Sequence, residues 1–259
     1  MRKSAKRILK DAFHALGLEI TRYAPPIPPV IPPGVDPYFD IGKLVNRNLP
    51  IIAFDVGGNT GQSVETLKRV MPQCEVHSFE PSPTTYELLA KNAEAYTDVY
   101  LNNLAVGSSC TERTFLENVY SDMSSFLEPS GSGWGEMVKE TTVQVTTLDR
   151  YCEEKNIPYV SILKTDTQGY DFEVLKGATG LMADNRIQLI LTEIIFSDMY
   201  KGLPAFDEMY RFLLDRRFRL VSFYQFYYQS DIASWTDALF INPSFEGGDA
   251  PVSQRAGES

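Results

Sequence analysis

Two carboxylates set around a glycine-rich turn suggest the first chemistry of this chain. Asp55 opens the stretch Asp55-Val56-Gly57-Gly58-Asn59-Thr60-Gly61, and Glu80 follows the run Glu75-Val76-His77-Ser78-Phe79. Gly57 and Gly61 let the backbone turn tightly and approach a ligand closely. Asn59 tolerates unusual backbone angles and hydrogen-bonds locally. An acid about 20 residues beyond such a turn is placed to accept both hydroxyls of a ribose through charge-assisted bonds. A second group lies further on. Lys164 and Asp166 flank Thr165 just after Val160-Ser161-Ile162-Leu163, and Glu193 follows another apolar run. An acid and a lysine at one rim suit proton removal from an attacking hydroxyl. Asp166 is the first candidate for that base. Lys164 either orients it or, with a depressed pKa, serves as the base itself. A purely structural ion pair is the plainer reading of the two. Glu193 is placed to bind a substrate hydroxyl, and Gln168-Gly169 forms a tight turn at the same rim. Asp122-Met123-Ser124-Ser125 and Trp134 lie where they can form an acceptor wall, with Ser125 among the substrate residues. Histidine is nearly excluded as the base, since His14 lies in the leader and His77 inside a strand.

These residues need a scaffold that brings them together, and the hydrophobic pattern supplies one. Pro50-Ile51-Ile52-Ala53 reads as a buried strand, and 62–71 as a helix carrying Val64, Leu67, Val70 and Met71 at helical spacing. Strands are expected at 75–79, 99–101, 160–163, 187–191, 218–223 and 238–241, with helices at 84–95, 149–155, 172–177 and 204–215. Segments 111–117 and 142–147 alternate in strand fashion and read as an inserted hairpin. Strands alternating with helices imply an α/β fold, mostly parallel, with helices on both faces. Ligands then bind at the carboxyl ends of the strands, where Asp55, Glu80, Asn103, Lys164, Asp166 and Glu193 fall. The aromatic residues Tyr224, Phe226, Tyr227, Tyr228 and Trp235 suit a sugar platform, but packing is the preferred reading for most of them.

The 259 residues are enough for one large domain or two small ones. A net charge of -10 argues against a nucleic-acid partner, because binding phosphates needs clustered Lys and Arg. Three scattered cysteines argue against a zinc site and fit a reducing, cytoplasmic compartment. Residues 1–22 read as a basic amphipathic helix. It either touches anionic lipid at the membrane periphery or packs on the domain, and packing is preferred. Seven prolines between 25 and 37 form a stiff spacer. The expected organisation is therefore a helix and proline-rich lead-in over 1–49, a catalytic domain over 50–242 and a disordered tail over 243–259.

The loop from Asp55 to Gly61, then Phe79-Glu80-Pro81 and Asn103-Leu104-Ala105-Val106-Gly107, resemble motifs of class I S-adenosylmethionine-dependent methyltransferases. Thr147-Leu148-Asp149 and the long block from Lys164 to Ala178 resemble the FkbM family within that class. Gly58 departs from the family pattern, where alanine is usual. The resemblance implies a Rossmann-like sheet of seven strands, mostly parallel with one antiparallel strand. It also implies S-adenosylmethionine as cofactor, with Asp55 on the methionine amino group, directly or through water, and Asn103, Leu104 and Ala105 near the adenine. It further implies O-methylation of a small-molecule or glycan acceptor. Metal-dependent O-methyltransferases tend to pair adjacent acids at the fifth strand end, where Thr192-Glu193-Ile194 offers one, so no metal is the preferred expectation and magnesium on Asp166 and Glu193 the minority reading. Two rival readings remain. One is an NAD(P)-dependent oxidoreductase of short-chain type, suggested by Tyr151 and Lys155 at Tyr-x-x-x-Lys spacing but disfavoured by the glycine spacing. The other is a cofactor-binding scaffold without catalysis.

Overall fold

A computed structural model of the chain describes residues 31–131 and 133–247. The expected helix over 1–22, most of the proline spacer and the tail beyond 247 lie outside the described residues. Strand β1 (Ile52–Val56) is buried along its whole length. It pairs in parallel on one side with β2 (Glu75–Phe79) and on the other with β7 (Val160–Thr165). β3 (Val99–Asn102) extends one flank beyond β2, and β8 (Ile187–Ile195) the other beyond β7, all in parallel. The long strand β11 (Ile232–Ile241) runs antiparallel to β8. Its other edge is shared by β9 (Arg219–Phe223) and the three-residue β10 (Tyr227–Gln229). The sheet therefore has eight strands rather than the expected seven, the eighth being β10, and β11 alone runs against the rest.

Alternation along these strands sorts the core into two halves. Phe54, Val56, Leu163, Ile190 and Phe240 face one side, packed under α4 (Leu148–Lys155), α5 (Asp171–Lys176), α6 (Thr179–Ala183) and α7 (Phe206–Asp215). Ala53, Val76, Ile162, Leu191 and Leu239 face the other, under α1 (Pro37–Leu44), α2 (Gln62–Val70) and α3 (Pro83–Ala93). A strand's period of two places Asp55, Ser78, Lys164, Glu193 and Asp237 on this second side, in one polar row near the strand ends.

Helix α1 departs from the expected lead-in. Asp36 caps it by accepting from Phe39 N at 2.9 Å, and Pro37 occupies its first turn, where the missing N–H costs nothing. Its Ile41 is fully buried in the core, so the body of the protein begins before residue 50. At the other end, Phe245 packs edge-on against Tyr159, which draws the first residues past 242 into the same body.

The inserted hairpin is part of a separate three-stranded sheet. β5 (Thr111–Asn118) pairs antiparallel with β6 (Met137–Thr146), and β4 (Ala105–Val106) lies parallel to β6. A 3-10 turn at Ser121–Met123 lies in the long β5–β6 connection. Among the described residues no helix is long and apolar enough to cross a membrane.

Candidate functional site

The glycine-rich loop joins β1 to α2 across the carboxyl rim of the sheet. Gly57 has φ +84°, and a Cβ there would lie 1.9 Å from the Asp166 carbonyl oxygen, so only glycine fits. The amides of Gly57 and Gly58 both donate to Phe79 O, at 3.0 and 2.9 Å, and Asp166 N donates to Val56 O at 3.0 Å. These bonds lock the loop to the ends of β2 and β7. Gly58 is set by space rather than by flexibility. A Cβ there would come within 2.2 Å of Ser78 Oγ, which donates to Asp55 Oδ2 at 2.9 Å. The smaller residue thus makes room for a hydroxyl that serves Asp55. Gly61, at φ +101°, starts α2 and does not line the cavity beside the loop.

Asp55 is 0% exposed. Its Oδ1 lies 3.2 Å from Lys164 Nζ, which also reaches Gly57 O at 3.3 Å and Asp166 Oδ2 at 3.5 Å. The buried Asp55 carboxylate does not touch the cavity, so a direct hold on a methionine amino group is not what this geometry provides. It acts on the site through Lys164 and the loop. Burial alone would lower the Lys164 pKa, but the Asp55 and Asp166 carboxylates outweigh it and raise that pKa above the ordinary value. Lys164 is therefore a fixed ammonium, and its expected alternative role as the base is withdrawn.

The first cavity encloses about 620 Å³ including its open mouth. Gly57, Asn59, Glu80, Leu104, Ala105, Asp166 and Gln168 all line it. Glu80 accepts from Asn59 N and Ser82 N, each at 2.9 Å, one on each carboxylate oxygen. Burial nevertheless pushes its pKa up to about 7, against those two amides. Asn59, at φ +44°, receives a hydrogen bond from Ser121 Oγ at 2.9 Å, tying the loop to the inserted segment. Asn103 does not line the cavity. Its Nδ2 donates to the carbonyls of Glu80 and Pro81, at 2.8 and 3.1 Å, and so braces the turn that presents Glu80. Apolar walls come from Phe79, Val106, Phe115, Phe126 and Tyr170, none of which was singled out from the sequence. Phe79, Val106 and Tyr170 carried a signal through the motifs they belong to, while Phe115 and Phe126 carried none.

Asp166 stands at the junction of this cavity and a second, more open one. Its side chain is 44% exposed, so it faces the cavities rather than the core. Gln168, at φ +54°, lies between the acids: its Nε2 sits 3.1 Å from Asp166 Oδ1 and 3.4 Å from Glu193 Oε2. The Tyr200 hydroxyl donates to Gln168 Oε1 at 2.9 Å and fixes that amide's orientation. Glu193 lies on the second cavity. Burial, with the charges of Asp166, Asp171 and Asp237, holds its carboxyl well above the usual range. Ser125 corrects an expectation. It is fully buried, donates to Gln168 O at 2.7 Å and accepts from Leu127 N at 3.0 Å. It supports Gln168 from behind and lines neither cavity; Asp122, nearby, lines both. Among the described residues, no group of three or more His, Cys, Asp or Glu is arranged to hold a metal ion.

The residues behind the oxidoreductase reading lie elsewhere. Tyr151 is buried in the core, its hydroxyl donating to Asn102 Oδ1 at 3.1 Å and meeting His77 Nδ1 at 2.9 Å. Burial pushes its pKa up to about 12, and it lines neither cavity. His77 is a packed strand residue whose pKa is lowered by burial.

Comparison with known proteins follows the same lines. Residues 55–220 match the profile of the methyltransferase FkbM domain. A hexuronic acid methyltransferase, AglP, of Haloferax volcanii is 26% identical over 148 residues, covering 55% of each chain. A protein of Beauveria bassiana named methyltransferase 1 is 24% identical over 160 residues, 55% of this chain and 63% of that one. The chain thus matches less than two thirds of the length of these relatives. Among solved structures, an rRNA methylase from Streptococcus thermophilus aligns with 79% of this chain and 93% of its own, at 10% identity and a TM-score of 0.47. With a match from Asp55 in the glycine loop to Leu220 in β9, the chain belongs to the FkbM methyltransferase family.

Proposed function

We propose that the chain is an S-adenosylmethionine-dependent O-methyltransferase acting on a hydroxyl of a sugar, glycan or secondary metabolite. The sugar class draws on the name of the Haloferax relative. The observation that carries the reading is Asp166, a half-exposed carboxylate that lines both the first cavity and the more open second one.

The residues of the first cavity fit the cofactor. Glu80 would hold the ribose hydroxyls, and Leu104, Ala105 and Phe79 offer apolar walls to a purine. Gly57, pressed against the Asp166 carbonyl and lining the cavity, would border the cofactor's chain with its backbone. When bound, S-adenosylmethionine supplies an electrophilic methyl group. The protein's own task is then the acceptor's proton. Asp166 takes that proton on a carboxylate oxygen as the hydroxyl becomes nucleophilic. Lys164 stays charged, 3.5 Å away, and holds the carboxylate in place. Gln168 bridges Asp166 to Glu193, which binds a neighbouring acceptor hydroxyl.

Two measurements test this. Calorimetric titration should show binding of S-adenosylhomocysteine; binding of NAD alone would overturn the methyltransferase reading. Asp166→Asn should abolish methyl transfer while keeping S-adenosylhomocysteine affinity, and near-normal turnover would remove Asp166 from the role of base.

A further inference from the structure

The second cavity, about 920 Å³ including its open side, has a lining of unusual composition. Asp122, Asp166 and Glu193 contribute acids, and Trp134 and Trp235 contribute indoles. The two indoles meet edge-on at 5.7 Å, and Tyr227 stacks on Trp235 at 4.8 Å with the rings 7° from parallel. Trp134 is 51% exposed, yet its backbone is anchored, because Asn118 Nδ2 donates to its carbonyl at 2.9 Å. Flat faces beside hydrogen-bonding acids suit a ring that is apolar on its C–H face and rich in hydroxyls at its edge. Among the described residues no Lys or Arg lines this cavity. Lys164, which ion-pairs with Asp166, is buried and already engaged by Asp55 as well.

Resting on the methyltransferase reading above, we infer that the acceptor is an uncharged, polyhydroxylated ring and that uronates and sugar phosphates are rejected. An anion placed here would meet Asp166 and Asp122 with no free cation to answer it, and a carboxylate or phosphate buried without a partner is strongly disfavoured. Neutral hydroxyls, by contrast, find acceptors at Asp166 and Glu193 and a guiding amide at Gln168. The discrimination lies in the charge of the lining rather than in shape, so it should respond to single isosteric changes. The sugar class suggested by the Haloferax relative is kept under this inference, while the acidic group of its hexuronic acid is not.

The test uses the whole chain saturated with S-adenosylhomocysteine and titrated with matched nitrophenyl hexosides and hexuronides. Within each pair that binds, the hexoside should be favoured by about tenfold or more. Asp122→Asn should narrow that ratio, and Asp122→Lys should narrow it further or reverse it. A hexuronide bound as tightly as its hexoside would overturn the inference, and so would failure of every pair while S-adenosylhomocysteine binds. Failure of S-adenosylhomocysteine itself to bind would instead bring down the underlying methyltransferase reading, and this inference with it.

Discussion

Asp55 and Lys164 form the floor of the site, buried between β1 and β7, whereas Asp122 and Trp134 belong to its roof and stand on the surface of the inserted segment. The floor is fixed by strand register: Asp55 and Lys164 are direct partners in the parallel ladder, and Ser78 is opposite Asp55 on the other side. The roof is held down by a handful of side-chain bonds, including Ser121 to Asn59 and Ser125 to Gln168 O. The difference teaches that charge near the floor belongs to folding as much as to chemistry, while charge at the roof stands outside the buried strand ladder.

Removing the floor's cation should do the most damage. Lys164→Met leaves the fully buried Asp55 carboxylate without its ion-pair partner and should cost about 3–5 kcal/mol in urea unfolding. A loss under about 1 kcal/mol would break the contrast between floor and roof.

Glu80 comes next, because it serves both purposes. Glu80→Gln should weaken S-adenosylhomocysteine binding by about 10- to 100-fold through loss of charge-assisted bonds. Its folded pKa of about 7 lies above the ordinary 4.5. The folded state therefore holds a proton that the unfolded chain releases, and Glu80 stabilises the protein fully below about pH 4.5. That contribution is lost as pH rises through about 7, at a cost of up to about 3 kcal/mol. In the unliganded protein, thermal scans from pH 5 to 8 should show a smaller decline in Tm for Glu80→Gln than for the parent. Parallel declines would show that Glu80 does not titrate in this window.

Gly58→Ala tests a finer feature of the floor. The added methyl must push Ser78 Oγ off Asp55, at a cost of about 1–2 kcal/mol. In a Ser78→Ala background the same change should be nearly neutral, and a double-mutant cycle measures that coupling. Additive losses would mean that the two residues do not share the space. At the roof, Trp134→Ala should change stability by less than about 0.5 kcal/mol while weakening hexoside binding. A large stability loss there would erase the distinction.

The sheet was legible because apolar runs such as Val160-Ser161-Ile162-Leu163 are bounded by turn residues and alternate with helical spacing. Strand β10 was not, since three residues pair only because β11 runs long beside them. Helix α1 carried its own signal in Asp36-Pro37, a cap followed by a proline, but the surrounding prolines masked it. In the site, residue types were legible and directions were not. Ser125 looked like a ligand-facing hydroxyl until the β5–β6 connection turned it toward Gln168 O. The pairing of Asp55 with Lys164, distant in sequence, is written in parallel register, which no local pattern records. Ser78 was the one accessible clue: a polar residue at the same parity as Val76, in a strand next to Asp55.

The alternation that places Asp55, Ser78, Lys164, Glu193 and Asp237 on the side of α1 to α3 leaves the opposite face mostly apolar, with His77 packed there against Phe54. Phe54, Leu163, Ile190 and Phe240 form there a layer that lines neither cavity. An engineer seeking a more heat-resistant enzyme can therefore redesign that layer at constant volume, with every charged group of the site left in place.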